Sequence, residues 1–312
     1  MALLVSSRFD EIEQAMRSVD GRYLLRSRST GEWRLKAETF GDLATMVGTN
    51  GAAVVYEGAT PAAFVMLIGN GFSNVNGERL APDQFVWVSP KDEFQTVSGC
   101  GVQWTAIFVP AADVQRWVDS DVTQLHPRFL RQALGRSDFR TLRRLTELVI
   151  SSTKFAATSS EPVSSHWRLA VHAELMDAVL ETLLSTQAPL DARRGRPRLD
   201  GLRIIREVRH FVDQRLDQAV RVGDVCSAVG ISATALEKIA NEQLGTSFHR
   251  YLLLRRLHAI HAVLRDAESS EPITSIYSRF GIGDFGRFSS RYRQLFGTLP
   301  SHERKRQDTI TS

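Results

Sequence analysis

Cysteine is scarce in this 312-residue chain: Cys100 and Cys226 are the two it has. They stand too far apart in sequence to suggest a metal knuckle or a disulfide framework. No run of about 18 apolar residues occurs, so no transmembrane helix and no membrane partner is expected. The opening stretch Met1 to Glu13 reaches Asp10 and Glu11 quickly and lacks a signal-peptide apolar core, which points to a cytoplasmic location. Histidine is missing from the first part of the chain. All eight (126, 166, 172, 210, 249, 258, 261 and 302) lie at or beyond position 126. A metal-dependent barrel enzyme built on residues 50–110 would need clustered histidines there, although carboxylates alone bind hard ions. No nucleophile elbow, P-loop or HExxH pattern is present. The chain therefore offers no catalytic constellation, and no enzyme activity, cofactor or metal is expected.

What is present is an ordinary globular composition, 43% hydrophobic and 24% charged. The length suggests about two domains. A formal net charge of +4 conceals an asymmetry: residues 1–192 hold 18 Lys/Arg against 22 Asp/Glu, whereas residues 193–312 hold 21 against 13. A basic C-terminal third on an acidic body suggests a polyanionic partner, or a basic surface kept for solubility.

Residues 50–110 are rich in short β signals at 52–56, 63–68, 84–88 and 102–109, separated by Gly, Pro, Asn and Asp, as in a sandwich or barrel. After Pro110 the periodicity turns helical, over Ala111–Asp119, Ser137–Phe155 and Ser164–Thr186. The last carries Leu169, Ala173, Met176, Val179, Leu180 and Leu183 on one stripe, readable as ordinary core or as a dimer seam. Residues 188–199, rich in Pro, Gly and Arg, read as a linker.

Gly281-Ile282-Gly283-Asp284-Phe285-Gly286 fits G-x-G-x-x-G, but the segment before it has apolar residues at 273, 276, 277 and 280. That is helical spacing, so the strand a dinucleotide turn requires is missing. A repeat explains the glycines. Val222, Val225, Val229, Gly230 and Ile231 match Ile273, Ile276, Phe280, Gly281 and Ile282. With one residue inserted, Leu236, Leu244, Gly245 and Thr246 match Phe288, Phe296, Gly297 and Thr298. Each copy reads as a short helix, a left-handed Gly, a turn and a second helix ended by Gly, which is a helix-turn-helix. Ser232 and Asp284 are the expected N-caps of the second helices. Between the copies, Phe248–Leu264 reads as one helix, roughly 25 Å long, able to hold two readers near one DNA turn apart.

At these residues the chain resembles a known family. Residues from about 200 to 306 look like the DNA-binding domain of AraC/XylS-type transcription regulators. The resemblance lies in Val225 to Ile231, Leu236, Gly245-Thr246-Ser247-Phe248, Arg256-Leu257 and FGIGDFGRFSSRYRQLFGTLPS. Residues 286–301 are loosely similar to the ethanolamine-utilisation regulator branch. Ser290, where many members have Arg, and Glu303, where Tyr is frequent, depart from the pattern. The resemblance implies base contacts at 234, 237 and 238. By spacing, Leu236, Ile239 and Ala240 point inward and Thr234, Glu237, Lys238 and Asn241 outward. In the second unit Phe288, Tyr292 and Phe296 are core, leaving Phe285, Arg287, Ser290 and Arg291 outside. Arg293 and Arg304-Lys305-Arg306 are expected on the DNA backbone. With the cap Ser232, this is the candidate DNA-binding set. Arg255 and Arg256 either grip phosphate or pair with acids such as Asp266.

The resemblance implies an N-terminal, cupin-like barrel that binds a small effector. It divides an α+β chain into an effector-binding and dimerisation domain (1–187, β-rich over 50–110 and helical over 111–187), the linker and an all-α DNA-binding domain (200–312). Phe64, Trp87, Phe94 and Trp104 are the candidate effector-binding residues, with Arg79, Lys91 or Glu93 as a polar anchor. The expected partners are double-stranded DNA, a small effector, a second copy of the chain and, for an activator, RNA polymerase. The alternative is a metal-free, cupin-like binding protein or enzyme carrying a basic helical appendage.

Overall fold

The computed structural model describes residues 4–6, 9–16, 21–131, 133–159, 163–186, 201–218, 220–266 and 271–304. The expected linker at 188–199, and Lys305 and Arg306, lie outside the described residues. Among the described residues no helix is long and apolar enough to cross a membrane.

The first domain is one antiparallel sheet with helices on its outer face. Its strands are β1 (Leu4–Ser6), β2 (Gly21–Leu25), β3 (Trp33–Phe40), β4 (Leu43–Thr49), β5 (Val54–Ala59), β6 (Ala63–Val75), β7 (Gln84–Val88), β8 (Glu93–Pro110) and β9 (Ala133–Arg136). Helix α1 (Phe9–Ala15) follows β1, α2 (Ala111–Asp119) follows β8, and α3 (Phe139–Thr158) and α4 (Ser165–Leu184) follow β9. Strand β8 organises the sheet. Its first half pairs with β5 from Glu93 to Ser98, its second half with β4 from Gln103 to Phe108, and β6 runs along the other edge of both. Sheet signals thus begin well before residue 50, at β1 to β4, and β9 interrupts the expected helical stretch 111–187.

Strand alternation gives the sheet two apolar faces. On one, Phe64, Met66, Ile68, Phe85, Trp87, Ile107 and Val109 form a core with Val114 of α2, Leu142, Leu145 and Val149 of α3 and Val171, Leu175 and Val179 of α4. On the other, Tyr23, Tyr56, Val65, Leu67, Phe94 and Ala106 belong to a core that continues into the helical domain. The stripe expected on α4 is split accordingly. Val179 and Leu183 are core, Met176 and Leu180 are half-buried, and Leu169 and Ala173 are exposed.

The second domain is all-helical: α5 (Gly201–Asp213), α6 (Val222–Val229), α7 (Ala233–Leu244), α8 (Phe248–Arg265), α9 (Ile273–Arg279) and α10 (Phe285–Phe296). It packs against the sheet through α5, α7 and α8. A buried ion cluster joins the two domains. Glu57 of β5 accepts hydrogen bonds from the Tyr251 hydroxyl (3.1 Å) and from Arg255 (3.0 Å) on α8. Arg255 also pairs with Asp213 of α5, which in turn meets Arg22 of β2 at 3.2 Å. Arg255 is therefore an interdomain tie; its partners are Glu57 and Asp213, not Asp266. Glu93, an expected effector anchor, instead pairs with Arg206 and Arg209 of α5.

Candidate nucleic-acid interface

The repeated sequence folds as a repeated structure. In the first unit α6 ends at Gly230, whose φ is +71°; in the second, α9 runs out just before Gly281, whose φ is +69°. A Cβ at Gly230 would meet nothing within 4 Å, so the left-handed backbone, and not crowding, calls for glycine there. The closing bonds correspond as well. Ile231 N donates to Cys226 O at 3.1 Å, and Ile282 N to Tyr277 O at 2.9 Å. Gly283 and Gly286 have no left-handed φ. The glycine pattern turns a chain between two helices.

Each second helix then starts on a side-chain cap. Ser232 Oγ accepts from Ala235 N at 3.2 Å, and Asp284 Oδ1 from Arg287 N at 2.9 Å. Both caps spend their side-chain oxygen on the helix terminus. Both helices end at matched left-handed glycines, Gly245 and Gly297. Helix α7 buries Leu236, Ile239, Ala240, Gln243 and Leu244, while Thr234, Lys238 and Asn241 are exposed. Helix α10 buries Phe288, Tyr292 and Leu295, while Phe285, Arg287, Ser290 and Arg293 are exposed and Arg291 is half-buried. Phe296, expected as core, is only partly covered and stacks on His261 with ring centroids 4.0 Å apart. Leu295 takes the interior position.

Three of the expected contact residues are already engaged, Asn241 among them, its Nδ2 donating to Glu237 O at 2.9 Å. Glu237 Oε2 accepts the Phe248 N–H at 2.7 Å, so this carboxylate caps the start of α8. Ser290 Oγ donates to Gly286 O within its own helix at 3.1 Å. Thr234, Lys238, Arg287 and Arg293 keep polar tips on the open face, where a base edge or phosphate can meet them. Arg256 donates to Val220 O at 3.0 Å.

Helix α8 is the rod between the units, 18 residues or about 27 Å long. Its His258 and His261 look back toward the sheet domain. His258 Nε2 accepts the Leu25 N–H at 2.9 Å, and burial, then the neighbouring His261, pushes its pKa down to about 3. His261 bridges the Tyr292 hydroxyl (2.6 Å) and Asp10 of α1 (2.9 Å). Asp10, His261 and Glu303 bring potential ligand atoms within 4.8 Å of one another, but Arg265 lies 2.7 Å from Asp10 and already supplies positive charge there.

Within the sheet lies a small apolar pocket with a cavity volume of about 50 Å³. Tyr23, Tyr56, Phe72, Phe94, Trp104 and Phe108 form its aromatic wall. Two of the four expected effector residues, Phe94 and Trp104, line it. Phe64 and Trp87 do not: they stack on each other at 5.2 Å on the opposite face of the sheet, and Trp87 Nε1 donates to Phe129 O. They fall on the other face because side chains alternate along β6 and β7, and helices cover that face. Among the described residues no charged side chain lines the pocket, and Arg79, Lys91 and Glu93 are not part of it. Asn50 is held by Trp104 Nε1 (3.1 Å) and by Ser98 Oγ (2.7 Å), and Thr60 donates to Ser89 O.

A protein-family model described as a helix-turn-helix domain matches residues 225–306. These residues form a helix-turn-helix domain. The chain is 31% identical over 152 residues to a probable thc operon regulatory protein of Rhodococcus erythropolis, covering 46% of this chain and 45% of that one. It is 29% identical over 92 residues to the XylDLEGF operon transcriptional activator of Pseudomonas putida, covering 29% of each. The chain thus spans less than half the length of these curated relatives. Among solved structures it is similar to the AraC-like transcriptional activator CuxR, at 14% identity and a TM-score of 0.41 over 84% of this chain and 96% of that one. The matched residues contain both readers and the whole of α8.

Proposed function

We propose that the chain is a sequence-specific, DNA-binding transcriptional regulator whose sheet domain binds a small effector. The observation that carries this reading is the matched pair of capped reader helices on one rod, each with its polar outer face open to solvent. A pair so joined suits two successive major grooves on one side of a duplex. Activation through RNA polymerase, and dimerisation along the outer residues of α4, complete the proposal. Leu169 and Leu184, 61% and 51% exposed, are the apolar positions there that a second copy would cover.

The effector is uncharged and carries a ring. The lining described is apolar and aromatic, and it offers no cation to a carboxylate and no carboxylate to an amine. The Tyr23 and Thr96 hydroxyls make no hydrogen bond among the described residues and are available to a hydroxyl or carbonyl on the ligand.

Fluorescence anisotropy of the full chain on its own upstream DNA and on random duplex tests the central reading. Specific binding at least 10³-fold tighter is expected at physiological salt; equal affinity for both would refute it. For the effector, indole and benzyl alcohol should raise the melting temperature and quench Trp104, and benzoate and benzylamine should not. Preferential binding of either ion would refute the uncharged class.

A further inference from the structure

The groove between the two domains is strongly basic. Arg26 and Arg28, in the connection from β2 to β3, share it with Arg221 at the head of α6, Arg250 and Arg256 on α8, and Arg291 on α10. Its cavity volume is about 830 Å³, and it is open to solvent. Among the described residues no Asp or Glu lines it, and none of these six guanidiniums sits in an ion pair. The bonds some of them make go to backbone oxygens: Arg26 to Gly245 O at 2.5 Å, Arg250 to Arg26 O and Arg256 to Val220 O, both at 3.0 Å. Guanidiniums gathered without acids repel one another, and an anion among them relieves that repulsion.

The position of the groove selects the anion. Arg221 precedes the first helix of the first unit, the helix that crosses the DNA backbone when its partner enters the major groove. Arg291 lies on the reader of the second unit, one turn beyond Arg287. The connection from the sheet domain touches corresponding points of both units, Arg26 at Gly245 and Arg28 against Gly297. The groove thus lies on the path of a strand running from one reader to the other. We propose that it holds the sugar–phosphate backbone between the two half-sites, so that Arg26 and Arg28 of the sheet domain contact the same duplex as the readers. This rests on the DNA-binding reading above. It adds a sequence-independent contact from a domain otherwise given to the effector.

The test is the salt dependence of duplex binding by the full chain. In R26A/R28A the slope of log K against log salt should fall by about two. Its deficit against the natural chain should therefore shrink about tenfold between 50 and 200 mM salt, equally on specific and random duplex. R26K/R28K should restore most of the slope, because a lysine keeps the charge and loses only the fork geometry. Arg144→Ala, on α3 and paired with Glu181, is the distant control and should leave the slope as it is. An unchanged slope in R26A/R28A, with the natural chain still binding its site, would overturn this inference alone. Failure of the natural chain to bind duplex at all would instead remove the reading beneath it. Thermal stabilisation by inorganic pyrophosphate that needs Arg26 and Arg28, with the DNA slope unchanged, would reassign the groove to a small anion and also overturn the proposal.

Discussion

Replacing Arg255 by Met should be the most damaging single change at the junction of the two domains. Arg255 and Glu57 are each 2% exposed and 3.0 Å apart, and the Tyr251 hydroxyl donates to the same carboxylate from 3.1 Å. Removing the guanidinium leaves a carboxylate in the interior with one neutral donor, a loss of about 3–5 kcal/mol for a broken buried pair. Burial already pushes the Glu57 carboxyl up, against the downward pull of Arg209, Arg22 and the Tyr251 hydrogen bond. In R255M the carboxyl gains a proton more readily. A raised folded-state pKa favours the fold at low pH, so the deficit should shrink as pH falls. Glu57→Gln keeps an acceptor for Tyr251 and leaves Arg255 its contact with Asp213, so it should cost about 1–2 kcal/mol. The double variant removes both charges and should be more stable than R255M by about 2 kcal/mol. Urea titration of the full chain supplies all four corners of the cycle. Additivity of the two single changes to within about 0.5 kcal/mol would refute the argument that these side chains act as a pair.

The remaining expectations concern the readers and the rod. Lys238→Ala and Arg287→Ala should each weaken the specific site by about 1–3 kcal/mol, and an equal loss on every duplex would reassign them to phosphate. Glu237→Ala should instead cost about 1 kcal/mol of stability in urea titration, since its carboxylate caps α8, and should leave base preference as it was. Gly281→Ala should destabilise by about 1–2 kcal/mol because φ is +69° there, whereas Gly283→Ala should change little, its backbone being unexceptional and its Cβ space empty. His258, depressed from 6.5 to about 3, must stay neutral to accept the Leu25 N–H. The unfolded chain therefore binds the extra proton, and stability that is complete above pH 6.5 falls as pH drops toward 3, by about 2 kcal/mol at pH 5. Unfolding of His258→Gln across pH 5–7 should lack that component.

The helical domain was legible in the sequence because its geometry is written in fixed offsets. Paired glycines 51 residues apart, apolar spacing and side-chain caps are local features, and Gly230, Gly281, Ser232 and Asp284 sit in the structure as that spacing predicts. The sheet domain was less legible. Strand β3 (WRLKAETF) mixes charged and apolar residues and buries its Lys36, which donates to Thr153 O of α3, so no clean alternation announces it. Alternation in β6 and β7 separates two faces without saying which one meets a pocket, and Phe64 and Trp87 lie on the face away from it. The tie between Glu57, Arg255 and Asp213 joins residues up to 198 positions apart in sequence and carries no local signature at all.

Hydroxyl-radical footprinting of the full chain on its upstream DNA tests the central claim most directly. Two protected segments on one face of the duplex, with centres about 10–10.5 base pairs apart, are the predicted result. Lys238→Ala should erase one of them and Arg287→Ala the other. A single protected segment, or two that vanish together in either variant, would contradict the account of twin readers held on one rod.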